Sequence, residues 1–432
     1  MAINKKSANR IRNYVVMCSL FGVLLIVGTY AWFIGMESVA VSAFDVTIAS
    51  TEGLALSLDG DTWYESLENP LKVDEAPQYS GNTNTWAKDG LIPMSSVGDA
   101  DDGSSRMILF EKASLTATKG GYRLLSSRVN NHKKLATSDK LAQGKGYVAF
   151  DLFIRNKSGD EYYATNDPLN EEAIYLRDDS KVTVASAGVK NTGIENSVRV
   201  GFMQVGRVEQ DGATPAKITA ITCKDVVEEI GGESVKTTTG ICRTATIWEP
   251  NDKAHAANAI KWYNETCNKR NGTTISDDKS YTDVACNTIA DETAYSTYAV
   301  ANELVVGSNV DVYDGEDFNG YHNASVTSAA TYFGEGFTKS TAKLVDMDYF
   351  TDTEKSKTGV DRPTFMTLAP NSITKVRVYV WIEGQDIDNY DFAQLGQAIT
   401  VNFGFAKEKF TGTDVNYDPS GTATLPEDVR GN

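Results

Sequence analysis

The chain has 432 residues, with 41 Lys and Arg against 58 Asp and Glu and a net charge of −17. No basic block interrupts this acidity beyond the first dozen residues, which excludes nucleic acid and anionic lipid surfaces as principal partners. Thr, Ser, Val and Tyr are prominent beside 35 Gly and 10 Pro, which favours strands and turns, and the aromatic content is too high for a disordered chain.

The first element is apolar. Residues 14–36 carry no charge; Lys5, Lys6, Arg10 and Arg12 precede them and Glu37 follows. A basic head, an apolar run and small residues near its end (Gly28, Thr29, Ala31) make an export signal. Two readings of residues 1–31 stay open. Cleavage by signal peptidase after Thr29-Tyr30-Ala31 starts the mature chain at Trp32, whereas a retained segment is long enough to anchor the chain as a membrane helix. Either reading puts the remainder outside the cell or on its surface, with the membrane met only through this segment, where disulfides persist.

Two-residue alternation marks the following elements as strands. Val39 and Val41 lead to Phe44, Val46 and Ile48, and Leu54, Leu56 and Leu58 end at the Asp59-Gly60 turn. Val148, Phe150, Leu152 and Ile154 face one way with Asp151 opposite; Val198, Val200 and Phe202 repeat this with Arg199 opposite. Val376, Val378, Val380 and Ile382 alternate with Lys375, Arg377, Tyr379 and Trp381. Ile399, Val401, Phe403 and Phe405 alternate with Thr400, Asn402 and Gly404. Strands with one wet face belong to antiparallel sheets, and no alternation of strands with amphipathic helices supports an α/β fold. The expected fold is all-β, an antiparallel β-sandwich of jelly-roll type built from residues 32–208 and 299–410, with a flexible tail at 411–432.

Residues 209–298 differ from the rest. They hold Cys223, Cys242, Cys267 and Cys286, many Thr and Asn, and one expected helix over residues 252–264. The segment reads as a disulfide-bearing insertion. Four cysteines allow three pairings; adjacent pairing would close two loops worth on the order of 3 kcal/mol each. Spacings without CxxC pairs disfavour a structural zinc site.

Catalytic motifs are missing: no HExxH, GxSxG, Walker loop or GxGxxG follows a strand, and the three histidines are His132, His255 and His322. No catalytic residue is assigned. His255, just after Trp248-Glu249-Pro250-Asn251-Asp252, is a conceivable zinc ligand but fits a cap or surface residue better. Asp311, Asp314, Glu316 and Asp317 are candidate calcium ligands on an acid-rich loop, calcium being the one cofactor the composition leaves open. Glu383 and Asp386 form a carboxylate pair at a strand end, a pattern glycosidases use and ordinary turns share. Tyr379 and Trp381, on the presumed wet face, are candidate binding aromatics for a sugar or a partner.

The junction Val27-Gly28-Thr29-Tyr30-Ala31-Trp32-Phe33, with Ser42-Ala43-Phe44-Asp45-Val46-Thr47-Ile48 and Leu54-Ala55-Leu56-Ser57, resembles the TasA/camelysin family of exported Gram-positive biofilm-matrix proteins. The resemblance implies a jelly roll that assembles into fibres by donating an amino-terminal strand. It covers some 45 residues, and this chain departs from the family in its length and its cysteine-bearing segment. Camelysin-like members are described as proteases, but no metal-binding motif carries that activity here. Apart from the resemblance, Trp32, Phe33, Ile34, Met36, Val39 and Val41 form an apolar arm that a soluble monomer would not leave in water. The arm therefore completes its own sheet or pairs with a neighbour's edge. The expected function is an exported, non-enzymatic structural protein whose partners are further copies of itself or other surface proteins. The alternative is a membrane-anchored adhesin or carbohydrate/protein-binding module.

Overall fold

The computed structural model describes residues 41–50, 53–67, 79, 84–86, 91, 93–101, 103, 105–118, 121–129, 146–185, 192–272, 298–301, 344–389, 397–410, 416–417 and 423–424. The expected signal or anchor, the arm residues Trp32, Phe33, Ile34, Met36 and Val39, and the calcium candidates Asp311, Asp314, Glu316 and Asp317 lie outside them, as do His132, His322 and Cys286. Among the described residues no helix is long and apolar enough to cross a membrane.

The principal strands are β1 (Val41–Ser50), β2 (Leu54–Ser57), β3 (Ser66–Leu67), β4 (Val148–Asn156), β5 (Glu172–Leu176), β6 (Lys181–Val184) and β7 (Val198–Glu209). They continue with β8 (Val226–Ile230), β9 (Glu233–Gly240), β10 (Thr246–Glu249), β11 (Met366–Leu368), β12 (Ser372–Glu383) and β13 (Gln397–Ala406). One sheet runs β11-β5-β13-β1-β3, with β6 also on β13. The other centres on β12, which pairs antiparallel with β7 on one side (Val200↔Val380) and β4 on the other (Phe150↔Val378). The chain is all-β, mostly antiparallel and sandwich-like. The main exception is β1, which runs parallel to β13 from Phe44↔Ile399 to Ser50↔Phe405.

The alternating apolar residues meet between the two sheets. Ile48, Phe150, Leu152, Val200, Val376, Val378, Val380, Ile399 and Val401 form one buried cluster. At its centre the Phe202 ring meets Phe365, Phe403 and Phe405 edge-on at 5.1, 5.1 and 5.7 Å between centroids. Each such side chain contributes about 1.5–3 kcal/mol on burial.

The face expected to be wet is not. All twelve residues of β12 are buried, and a second apolar cluster covers their far side: Met94, Met107, Tyr147, Met203, Ile247 and Tyr349 among others. Tyr379 and Trp381 belong to it at 2% and 0% exposure. The Tyr379 hydroxyl accepts from the Met107 N–H (3.0 Å), and the indole of Trp381 donates to Glu383 (3.2 Å). Their candidacy as surface binding aromatics is therefore withdrawn. The polar residues alternating with the valines are buried as ion pairs rather than solvated, so the sequence pattern imitates a half-exposed strand.

Residues 209–298 divide. The first part forms a short helix and the β8–β9 hairpin, whose β9 pairs with β7 at its base (Gly206↔Gly240); β10 also pairs with β7 (Val200↔Trp248), and Trp248, Ala259 and Ile260 enter the main core. The helix of this segment, α1, spans Ala257–Gly272, later than the expected 252–264. Asn251 sits at φ 58° and the Asp252 carboxylate accepts from the Thr353 N–H (3.1 Å), so these residues form a turn instead of a first helical turn. In the tail, Asn416–Tyr417 and Ala423–Thr424 pair as a short ladder.

Candidate functional site

Two places stand out. The first is the β8–β9 hairpin, at the end of its sheet, where among the described residues no strand pairs with the outer edge of β8. Its two strands pair from Val226↔Thr238 to Ile230↔Glu233. The turn holds Gly231 at φ 65° and Gly232 at φ 90°; two successive positive φ values are what a tight two-residue hairpin needs, and glycine adopts them without strain. A disulfide between Cys223 and Cys242, Cα atoms 5.2 Å apart, closes the hairpin's base over 19 residues of separation. This joins the first two of the four cysteines; Cys267 lies in α1 with its side chain outside the description. The hairpin leaves Val226, Val227, Ile230 and Val235 exposed, Val227 at 57% and Ile230 at 52%. A two-stranded ribbon with apolar groups in water is marginal alone, so the staple and a covering partner are its natural supports.

The second place lies where β12 ends and turns. Asp386 and Asp388 follow the last strand residue, Glu383, and His255 comes from the turn before α1. The His255 Nδ1 lies 2.6 Å from Asp388 Oδ2 and 3.8 Å from Asp386 Oδ1. Arg199, fully buried on β7, joins this nest by pairing with both Glu249 and Asp386 at 2.5 Å. The Ala256 N–H donates to Asp388 Oδ1 (2.9 Å), and the Asp388 N–H to Asp386 Oδ1 (2.9 Å). Gly193, at φ 80°, backs the site closely: a Cβ there would lie 2.5 Å from Asp388 Oδ1.

The electrostatics follow from burial. Burial pushes the Glu383 carboxyl up to about 7, against the attraction of Arg199. Burial likewise raises Asp388 to about 6, with its hydrogen bond to His255 opposing and the charge of Asp386 assisting. For His255, burial favours the neutral ring, but the hydrogen bond with Asp388 and the charge of Asp386 prevail and raise its pKa. The carboxylate pair expected at this strand end, Glu383 and Asp386, is thus enclosed, with Asp386 locked onto Arg199, and offers a sugar no open approach.

Glu249, His255, Glu383 and Asp386, separate in sequence, come together here. Asp388, Arg199 and Tyr349 complete the nest without having been legible as site residues. Asp388 carried the one available signal, the third acid in Glu383-Gly384-Gln385-Asp386-Ile387-Asp388. No family model, no curated protein and no solved structure matches the chain.

Proposed function

We propose that this chain is an exported structural protein of the cell surface or extracellular matrix that assembles by strand addition. In this reading the apolar arm, residues 32–40, adds to the outer edge of β8 in a neighbouring copy; Val41, expected in the arm, is held in its own sheet by its pairing with Gln397. The observation that carries it is the stapled hairpin: an edge strand held rigid at its base, turned by two glycines and presenting Val226, Val227 and Ile230 to solvent. Strand addition satisfies the unpaired N–H and C=O groups of such an edge and covers its apolar side chains. The arm runs directly into β1, whose Val41 pairs with Gln397, and residues 37–40 hold no Asn-Gly or Asp-Gly pair to turn it back on itself. An arm at one place and an acceptor edge at another make a head-to-tail contact, which propagates as a filament unless it closes into a ring. The jelly-roll connectivity and the resemblance to biofilm-matrix fibre proteins belong to the same reading, supported by β1 and β13, early and late strands lying side by side.

The test uses two variants of the exported protein. Deleting residues 32–40 removes the donor, and Val227→Lys with Ile230→Lys blocks the acceptor. Each alone is expected to stay a folded monomer by light scattering and circular dichroism, and a mixture of the two to yield a dimer that grows no further. Fibres by electron microscopy from either variant alone would overturn the proposal. Replacing Cys223 and Cys242 by serine is expected to cost about 3 kcal/mol of unfolding free energy by urea titration and to weaken assembly.

A further inference from the structure

We propose that His255, Asp386 and Asp388 form a buried site for one divalent transition-metal ion, with zinc the best fit to the donors. One ligand atom from each lies within 4.8 Å of the others, and all three residues are buried. The Nδ1 separations from the two carboxylates, 2.6 and 3.8 Å, straddle the roughly 3.4 Å edge of a tetrahedron drawn with metal bonds of ~2.1 Å. Exchanging the proton between His255 and Asp388 for an ion asks the three ligand atoms, all within 4.8 Å of one another, to shift by about an ångström.

Charge argues the same way. Four carboxylates, Glu249, Glu383, Asp386 and Asp388, share the nest with Arg199 and His255. With Glu383 protonated, a neutral imidazole, the form that binds metal, leaves Arg199 as the cation set against Glu249, Asp386 and Asp388, and a divalent ion makes up the deficit. An independent observation lies beside the cluster. The Tyr349 hydroxyl is buried without a hydrogen-bond partner, in a residue 3% exposed whose ring lies 5.0 Å from the Arg199 guanidinium. Its phenol interacts electrostatically with Glu383, Arg199, Glu249 and Asp386, so it faces the nest. A buried phenol without a hydrogen-bond partner beside these acids is a polar group that a water carried by a bound ion would satisfy. The donor set selects among ions: imidazole nitrogen with two carboxylates suits zinc, whereas calcium takes six to eight oxygens. Because the site is enclosed, the ion enters as the chain folds, and its binding free energy adds to stability.

The experiment uses full-length exported protein refolded after chelator treatment, then titrated with Zn²⁺ by calorimetry and with Co²⁺ by visible absorption. One equivalent is expected to bind, Co²⁺ giving the intense d–d bands of a four-coordinate nitrogen–oxygen site, with a rise in Tm. His255→Gln and Asp388→Asn are each expected to weaken binding at least ~100-fold, since they remove ligands and not only their supports. No stoichiometric uptake by the wild type would overturn the proposal, leaving a proton shared between His255 and Asp388. Equally tight uptake by both variants would overturn it too, by placing the ion elsewhere. Should the variants fail to fold, X-ray absorption of the zinc-loaded wild type decides: a first shell without imidazole nitrogen rejects the site.

Discussion

Strand β12 carries two buried ionic centres a few residues apart, and they are built on opposite plans. Near its middle, Asp151 of β4 faces cations: Arg377 binds both its oxygens at 2.7 and 3.0 Å, Lys375 lies at 3.3 Å, and the Tyr79 hydroxyl donates to it. Burial alone would raise that carboxyl, but Arg377 and Lys375 outweigh it and hold it well below the usual carboxylate range. At the strand's end the proportions invert, with four acids around Arg199 and His255 and Glu383 pushed upward. The first centre is closed and charge-satisfied. The second holds more acid than its own cations neutralise. The contrast separates an ion pair that joins two strands from a nest with room for one more positive charge.

The largest expected effect is at the closed centre. Asp151→Ala leaves Arg377 and Lys375 buried without their counter-charge, which costs about 3–5 kcal/mol at pH 7 by urea unfolding. The pH dependence has a definite sign. A carboxyl lowered by folding contributes stability that is complete above its unfolded value, 3.8, and is lost as pH falls below it. The gap between wild type and variant should therefore narrow as the pH drops below about 4. A gap constant with pH would mean that Asp151 acts by packing alone, and the comparison would lose its first member.

A smaller effect tests whether the second centre is tightly held. Ala at Gly193 brings a methyl to within 2.5 Å of Asp388 Oδ1 and 2.8 Å of the Ala256 Cβ, and neither yields easily, since Asp388 is fixed by His255 and by the Ala256 N–H. Gly212 has a similar φ, 74° against 80°, with nothing within 4 Å of a Cβ. Gly212→Ala thus measures the backbone cost alone, about 1 kcal/mol. Gly193→Ala should exceed it by a further 1–2 kcal/mol or so, through contact with Asp388. Equal losses would show that the turn carrying Asp388 moves freely.

These centres explain what could be read from the sequence and what could not. The β alternation of Val376–Ile382 and Ile399–Phe405, and with it the all-β class, was legible because valines and phenylalanines at every second position have few other uses. The second face was not. Arg199, Asp151, Lys375 and Arg377 look the same in sequence whether they meet water or each other, and only the folded partners distinguish the two. The same ambiguity made Tyr379 and Trp381 look like surface aromatics. His255 and Asp388, 133 residues apart, could be joined only by the fold, whereas Cys223 and Cys242 were restricted by counting to one of three partners each. The hairpin between them was hidden by its exposed valines, which reverse the usual pattern of apolar residues inside.

The smallest effect sharpens the contrast most. In chelator-treated protein at pH 6, most of the Glu383 carboxyl is already protonated, because burial has raised it to about 7. A protonated carboxyl presents one oxygen as acceptor and one O–H, and a glutamine amide presents one oxygen and an NH₂ of similar shape. Glu383→Gln should nonetheless cost about 1–2 kcal/mol there, because the Trp381 indole N–H and the Gln385 N–H donate to different carboxyl oxygens and the amide keeps only one oxygen to accept with. As pH rises, the sign opposes that at Asp151. A carboxyl raised by folding contributes stability that is complete below its unfolded value, 4.5, and is lost as pH climbs through about 7. The wild type should therefore lose ground to the glutamine variant between pH 6 and 8, by on the order of 1–2 kcal/mol. If Glu383→Gln at pH 6 is as damaging as Asp151→Ala at pH 7, the carboxyl at the strand's end is a satisfied ion, and the two centres follow one plan after all.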